Sequence, residues 1–349
     1  MNEISRRHLL AGGGAGGAAL ALLGGGVSLA GSHAGMSHGA ANGGRMGAGR
    51  HGGGAAGPMF QRGRTVDHAA NGFDPTELLR DFDSGRTRRL ASGRVLREWE
   101  VVAEDKEIEV APGVHYPAWT FNGRVPGPTL RCREGEQLRV RFVNASKHPH
   151  TMHFHGIHTA AMDGVPGVGA GLIEPGQSTV YEFDAEPFGL HLYHCHAGPL
   201  SEHIARGMYG TFIIDPRQGR AEADELVMMM NGFNTNFDAE GNQVYAVNTV
   251  AFHHMNEPVR IRRGELVRIY LVNILEFDPI NSFHVHGNFF DFFPTGTRLE
   301  PIEFTDTVMF GQGQRAVLEM RFKTPGLHMF HAHKSEFAEL GWMGFFEVA

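Results

Sequence analysis

Four short elements of this chain carry histidines at a spacing that suits a metal. His153-Phe-His155-Gly156 matches His284-Val-His286-Gly287, and Gly189-Leu-His-Leu-Tyr-His194-Cys195-His196 matches Gly326-Leu-His-Met-Phe-His331-Ala332-His333. In a β-strand, residues i and i+2 project from the same face, so each His-X-His sets two imidazoles side by side as a two-toothed ligand. One isolated histidine on an apolar strand is a core residue whose ring is satisfied by backbone; four matched pairs at repeated positions are a ligand set. The two longer copies differ where a thiolate would change the chemistry, Cys195 against Ala332.

One thiolate, two imidazoles and a distant thioether make the donor set of an electron-transfer copper. The run from Cys195 to Met208 supplies His203 and Met208 from a loop. The second imidazole comes from Lys147-His148-Pro-His150-Thr-Met-His153, with His150 favoured on a turn into the strand and His148 as the alternative. Independent two-histidine zinc sites fail on donor count, since zinc wants four donors or three plus water.

The elements that must position these groups are also duplicated. Arg133-Glu-Gly-Glu-Gln-Leu-Arg-Val-Arg-Phe-Val-Asn144 aligns with Arg262-Arg-Gly-Glu-Leu-Val-Arg-Ile-Tyr-Leu-Val-Asn273. Leu138, Val140 and Phe142, like Val267, Ile269 and Leu271, repeat with the period of two of a half-buried strand. Turns such as Val125-Pro-Gly-Pro128 and Glu174-Pro-Gly176, with no sustained helical period, predict an all-β chain of two sandwiches over residues 95–216 and 222–349. Asp74–Arg89 is expected to add a short helix. Cys132, with no histidine beside it, reads as packing, and so do Met228, Met229 and Met230, since a methionine run on a strand is core more often than a cuprous site.

Ser5-Arg6-Arg7-His8-Leu9-Leu10 and the Ala/Leu/Gly run to Ala30 read as a twin-arginine signal peptide over residues 1–34, with a retained anchor as the alternative. That predicts export to the periplasm, the cell surface or the medium. Residues 35–94 read as a flexible Gly/His/Met-rich segment and extension; in the Gly/Ala-rich run from Gly31 to about Gly63, His33, His38, His51, Met36 and Met46 could bind copper loosely or be composition bias. With 2 cysteines there is no disulfide framework, and a net charge of -7 without a basic block argues against nucleic acid as a partner.

These motifs resemble the two-domain multicopper oxidases, laccase-like proteins built of cupredoxin-like Greek-key sandwiches and related to copper nitrite reductases. The His-X-X-His-X-His core at His150, His153 and His155 and the His-Cys-His core at His194, Cys195 and His196 carry the resemblance. It implies a type 1 copper on His150, Cys195, His203 and Met208, a type 2 copper on His153 and His284, and type 3 coppers on His155, His194, His196, His286, His331 and His333. Asn281, Ala332 and Leu340 stand where a second type 1 site would have its ligands, so the second domain would supply only half of a trinuclear cluster. The resemblance also implies Asp163 as a proton-delivering carboxylate, with a turn-forming Asp-Gly as the plainer reading, and Glu336 and Glu339 as weaker candidates. The expected reaction takes single electrons from a phenol, aromatic amine or metal ion and reduces O2 to water. Two-domain members close as trimers, so a homotrimer is implied, each cluster built from the first domain of one chain and the second domain of the next.

Two other functions stay open on the sequence. Copper nitrite reductases share the two-domain build and the ending Glu339-Leu-Gly341, but they have Asp at the place of His153 and lack a histidine at that of His196. A copper store or electron carrier would not need the full histidine set.

Overall fold

The repeated strand pattern becomes two β-sandwiches in one compact unit. The computed structural model describes residues 65–278 and 280–349. In the first sandwich, one sheet orders Phe82–Asp83, Thr129–Arg133, Tyr209–Asp215, Gly189–His194 and His153–Phe154. The facing sheet orders Arg86–Arg89, Val95–Ala111, Gln137–Asn144 and Ser178–Asp184, with Val114–Phe121 paired to Val95–Ala111. The second sandwich sets a sheet centred on Asp224–Phe233, Val267–Asn273 and Arg315–Met320 against one of Val259–Ile261, Met343–Val348, Gly326–His331, Ile280–Val285 and Thr307–Gly311.

Leu138, Val140 and Phe142 point into the first core, while Arg139 and Arg141 pair outside with Glu98, Glu182 and Glu100. The matching strand departs from the half-buried pattern, because every residue of Val267–Asn273 is buried. Ile269 and Leu271 face their own core, whereas Tyr270 and Val272 join an apolar cluster with Leu190, Leu192, Tyr209 and Ile213 of the first sandwich. A strand covered on both faces normally reads as a continuous apolar run. Here Arg268 disguises it, at 2 % exposed and neutralised by Glu225 at 2.9 Å and Glu319 at 2.6 Å. Met228 and Met230 lie in the second core and Met229 in the shared cluster. Cys132 packs in the first core, where burial pushes its thiol up.

Upstream, the ordered fold starts before residue 95. Phe82–Asp83 runs parallel to Thr129–Leu130 and Arg86–Arg89 antiparallel to Val95–Glu98, so each joins a sheet of the first sandwich. The helix expected within Asp74–Arg89 is only Pro75–Leu78, capped by the Asp74 carboxylate, which accepts from Thr76 N at 2.8 Å. Leu79 is fully buried in the second core, and this anchorage orders a stretch whose composition promised a tether. The expected leader and the Gly/Ala-rich tether lie in residues 1–64, outside the described residues. No described helix is long and apolar enough to cross a membrane.

Candidate metal centres

Cys195 follows the end of the strand Gly189–His194 and is fully buried. Its Sγ lies 3.7 Å from His150 Nδ1 and 3.2 Å from His203 Nδ1, and the two nitrogens are 3.1 Å apart. A metal bonded to nitrogen and sulfur at about 2.0–2.3 Å fits inside such a triangle. His203 comes from the short helix Leu200–Ala205, and His150 from a loop bridged to Ile173 and braced by Asn144, whose amide donates to His148 O and Ile173 O at 2.7 Å each. Met208 is buried in the same core, and its carbonyl accepts from Cys195 N at 2.9 Å. His148, the alternative to His150, is exposed and stacks on Trp119, with ring centroids 4.4 Å apart.

Burial pushes the Cys195 thiol up to about 11, against the opposing pull of the Ala197 and Thr151 N–H groups. Burial also lowers His150 to about 3 and His203 to about 4, so both imidazoles keep a lone pair at neutral pH. Such a thiol becomes a thiolate when a metal displaces its proton. Thiolate and imidazole donors together are a soft set, compatible with a type 1 copper.

The other histidines form two matching groups, one in each sandwich. His153 stands opposite His194 in the first sandwich, and His284 opposite His331 in the second. His155 Nε2 and His194 Nε2 are 3.0 Å apart, as are His286 Nε2 and His331 Nε2. The outer nitrogens are held by similar backbone contacts, His194 Nδ1 to Cys195 O at 2.8 Å and His331 Nδ1 to Ala332 O at 2.7 Å. The His196 and His333 rings lie 5.5 and 5.3 Å from those of His153 and His284. Burial holds His155 at about 3 and His194 at about 4, and lowers His331. His194 and His331, each held at Nδ1 by a backbone carbonyl, offer Nε2 to a metal.

The second sandwich has no counterpart to the thiolate site. Asn281 is 1 % exposed, Ala332 is fully buried, and Leu340 packs on the core beside Phe337 and Trp342. A Tyr245–Phe337 stack at 4.0 Å adds to this apolar filling.

Asp163 meets His153 Nδ1 through both its carbonyl, at 2.9 Å, and its carboxylate, at 2.8 Å. Glu336 pairs with Lys334 at 3.4 Å, and Glu339 is exposed. The structure adds residues that the motifs did not single out. His158 reaches the Asp163 carboxylate at 3.4 Å, and the Thr307 hydroxyl and Asp306 carbonyl meet His284 Nδ1 at 2.8 and 2.9 Å. Thr151 donates its N–H to Cys195 Sγ at 3.3 Å and accepts from His196 N at 2.9 Å, so one residue braces both kinds of centre. His158 was within reach of sequence reading, three residues after His155; Thr151 lies inside the motif as an unmarked position.

The sequence matches the multicopper oxidase family over residues 102–219 and again over 222–349. A solved multicopper oxidase structure is 61 % identical, with a TM-score of 0.80 over 82 % of this chain and 100 % of that one. The blue copper oxidase from Nitrosomonas europaea is 29 % identical, with a TM-score of 0.66 over 72 % of this chain and 86 % of its own. A copper-containing nitrite reductase from Neisseria gonorrhoeae is 31 % identical over 66 % of this chain and 62 % of its own length, so the chain spans a little under two thirds of that relative. Since both sandwiches match and the alignment to the 61 % identical structure covers that chain completely, the protein belongs to the multicopper oxidase family, copper-using oxidoreductases related to the copper nitrite reductases.

Proposed function

We propose that the protein is a laccase-like oxidase that couples one-electron oxidation of a phenol, an aromatic amine or a metal ion to four-electron reduction of O2 to water. Copper supplies the redox chemistry when bound: a type 1 ion, and a trinuclear type 2/type 3 site shared between neighbouring chains of a homotrimer. Cys195, His150, His203 and Met208 would hold the first. His153 and His284 would hold the type 2 ion, and His155, His194, His196, His286, His331 and His333 the type 3 pair. His194 and His196 flank Cys195 in the chain, so a covalent path joins the two centres. Asp163 fixes the ring of His153 and, with its side chain 31 % exposed, offers protons a route from solvent.

One observation carries this reading: both half-sites keep four histidines, and within one chain no group of donor atoms among the described residues combines them. What borders His155 from the second sandwich of its own chain is Gly313 and the charge of Arg315. The second half-site lies open on a sheet face that also exposes Ile280 (46 %), Met309 (67 %) and Leu327 (57 %). By strand alternation and by the pairing of Ser282 with Met309 and His284 with His331, these apolar side chains share a face with the histidines. An exposed apolar patch around unsatisfied ligands fits a protein interface. A head-to-tail contact of this kind closes into a ring when the rotation completes, which a trimer does.

The test follows O2 and nitrite in one copper-loaded preparation supplied with an electron donor. The account expects O2 uptake at one O2 per four donor electrons and no nitrite consumption. Nitrite consumed without O2 uptake would place the protein with its nitrite reductase relatives instead.

A further inference from the structure

We propose a further metal site, separate from the copper ligands, where His68, His253 and Glu257 meet, binding a divalent cation of the Zn2+ or Cu2+ kind. His68 lies in the short helix His68–Asn71 of a strap, residues 65–81, that precedes the first sheet strand; His253 opens the helix His253–Asn256 of the second sandwich, and Glu257 follows that helix. Their donor atoms all lie within 4.8 Å of one another, a spread that small side-chain rotations close to a coordination sphere. The His68 and His253 rings are 4.9 Å apart, edge to face.

Both ring nitrogens of His68 are shut off from solvent and meet no hydrogen-bond partner. Buried polar groups are nearly always paired, so the unpaired nitrogens of His68, grouped with His253 and Glu257, need an occupant. Support for a ligand is already built at His253. Its Nε2 meets Thr76 Oγ1 at 2.7 Å and the Asp74 carboxylate at 3.5 Å. A ligating histidine typically gives its second nitrogen to such a partner. Burial lowers His253 to about 4, so its ring is neutral and able to ligate at neutral pH.

Two imidazoles and a carboxylate, completed by water, are the three-plus-one set that zinc accepts, and imidazole also suits Cu2+. Without a thiolate the set does not favour cuprous ion. The site's work would be mechanical. Among other contacts, the strap already touches the first sandwich through Asn71, whose side chain exchanges hydrogen bonds of 2.9 and 2.8 Å with the Glu109 backbone, and the second through buried Leu79 and through Arg80, which pairs with Asp224 at 2.9 Å. A cation on His68, His253 and Glu257 would lock its first turn to the second sandwich.

Copper-loaded protein, stripped of loosely held copper by dialysis against a chelator until its blue absorption alone remains, is titrated with Zn2+ and in a separate arm with Cu2+, and bound ions are counted by elemental analysis. The expected result is one additional ion per chain in at least one arm, lost or weakened at least tenfold in His68→Ala/Glu257→Gln. The arm with the tighter binding identifies the occupant. Saturating the site should also raise the apparent melting temperature by about 5 °C at a hundredfold excess over Kd, and not in the variant. The variant's blue absorption reports that it has folded, and Glu257→Gln alone, at an exposed carboxylate, gives a second folded test. No additional ion in either arm, or equal uptake by wild type and the folded variants, would overturn the site.

Discussion

Cys195 combines a fully buried sulfur, two neutral imidazoles at 3.2 and 3.7 Å and two N–H groups directed at it from Thr151 and Ala197. No other described cysteine joins histidines in a group of metal donors, so Cys195 is the thiolate that the proposed type 1 copper would use. Cys195→Ser is expected to abolish the intense blue absorption and donor oxidation while copper still binds the histidine half-sites; optical and electron paramagnetic resonance spectra of one sample check both. In the proposed reading Asp163 acts through His153, whose Nδ1 its carboxylate meets at 2.8 Å. Asp163→Asn keeps the shape, removes the charge and is expected to weaken the type 2 copper about 10–100-fold. The same change should slow O2 reduction with a shifted pH profile while donor bleaching of the blue copper stays unchanged, which stopped-flow absorbance measures. Equal slowing of both steps would count against a role confined to the half-site.

Between the sandwiches, the strands Thr129–Arg133, Asp224–Phe233 and Val267–Asn273 are joined by one carboxylate. Glu225 bonds Arg131 at 2.5 Å, Arg268 at 2.9 Å and the Tyr270 hydroxyl at 2.8 Å. Burial alone would raise its carboxyl, but the Arg131 hydrogen bonds and charge, with Tyr270 and Arg268, overcome that and hold it below the usual range. A carboxylate depressed in the folded state contributes stability above its unfolded value of about 4.3 and loses it as pH falls through the folded value. Wild-type stability should therefore decline as pH drops below about 4, and Glu225→Gln should flatten that decline. At neutral pH the variant is expected to lose about 2–3 kcal/mol, because Asp215 and Glu319 still pair the two arginines; denaturant unfolding measures it. The same elements mark the limits of sequence reading. The His-X-His pairs were legible because their spacing is the strand period itself. The two-sided burial of Val267–Asn273 was not, since Arg268 reads as a solvent residue until its two glutamates come from other strands. Asp306 and Thr307 were hidden for a related reason, reaching His284 from more than twenty positions away with no motif to mark them. The strap over residues 65–81 offers no sustained period to read, and contacts with both sandwiches order it, Asn71 on Glu109 of the first and Leu79 in the core of the second.

For the whole molecule, the observation to explain is a duplicated histidine set whose two groups share no cluster of donor atoms among the described residues. If a neighbouring chain completes the site, a charge on the exposed apolar face should separate assembly from colour. Met309→Lys is expected to shift the protein from trimer to monomer in sedimentation, keep the blue absorption, and lose O2 reduction in proportion. The most direct measurement mixes two inactive chains, His153→Ala/His155→Ala and His331→Ala/His333→Ala, refolds them together with copper and records O2 uptake. Random assembly pairs an intact first domain with an intact second domain at roughly one interface in four, so about a quarter of wild-type activity should return. No recovered O2 uptake from a mixture that assembles and binds type 1 copper would contradict a site shared between chains.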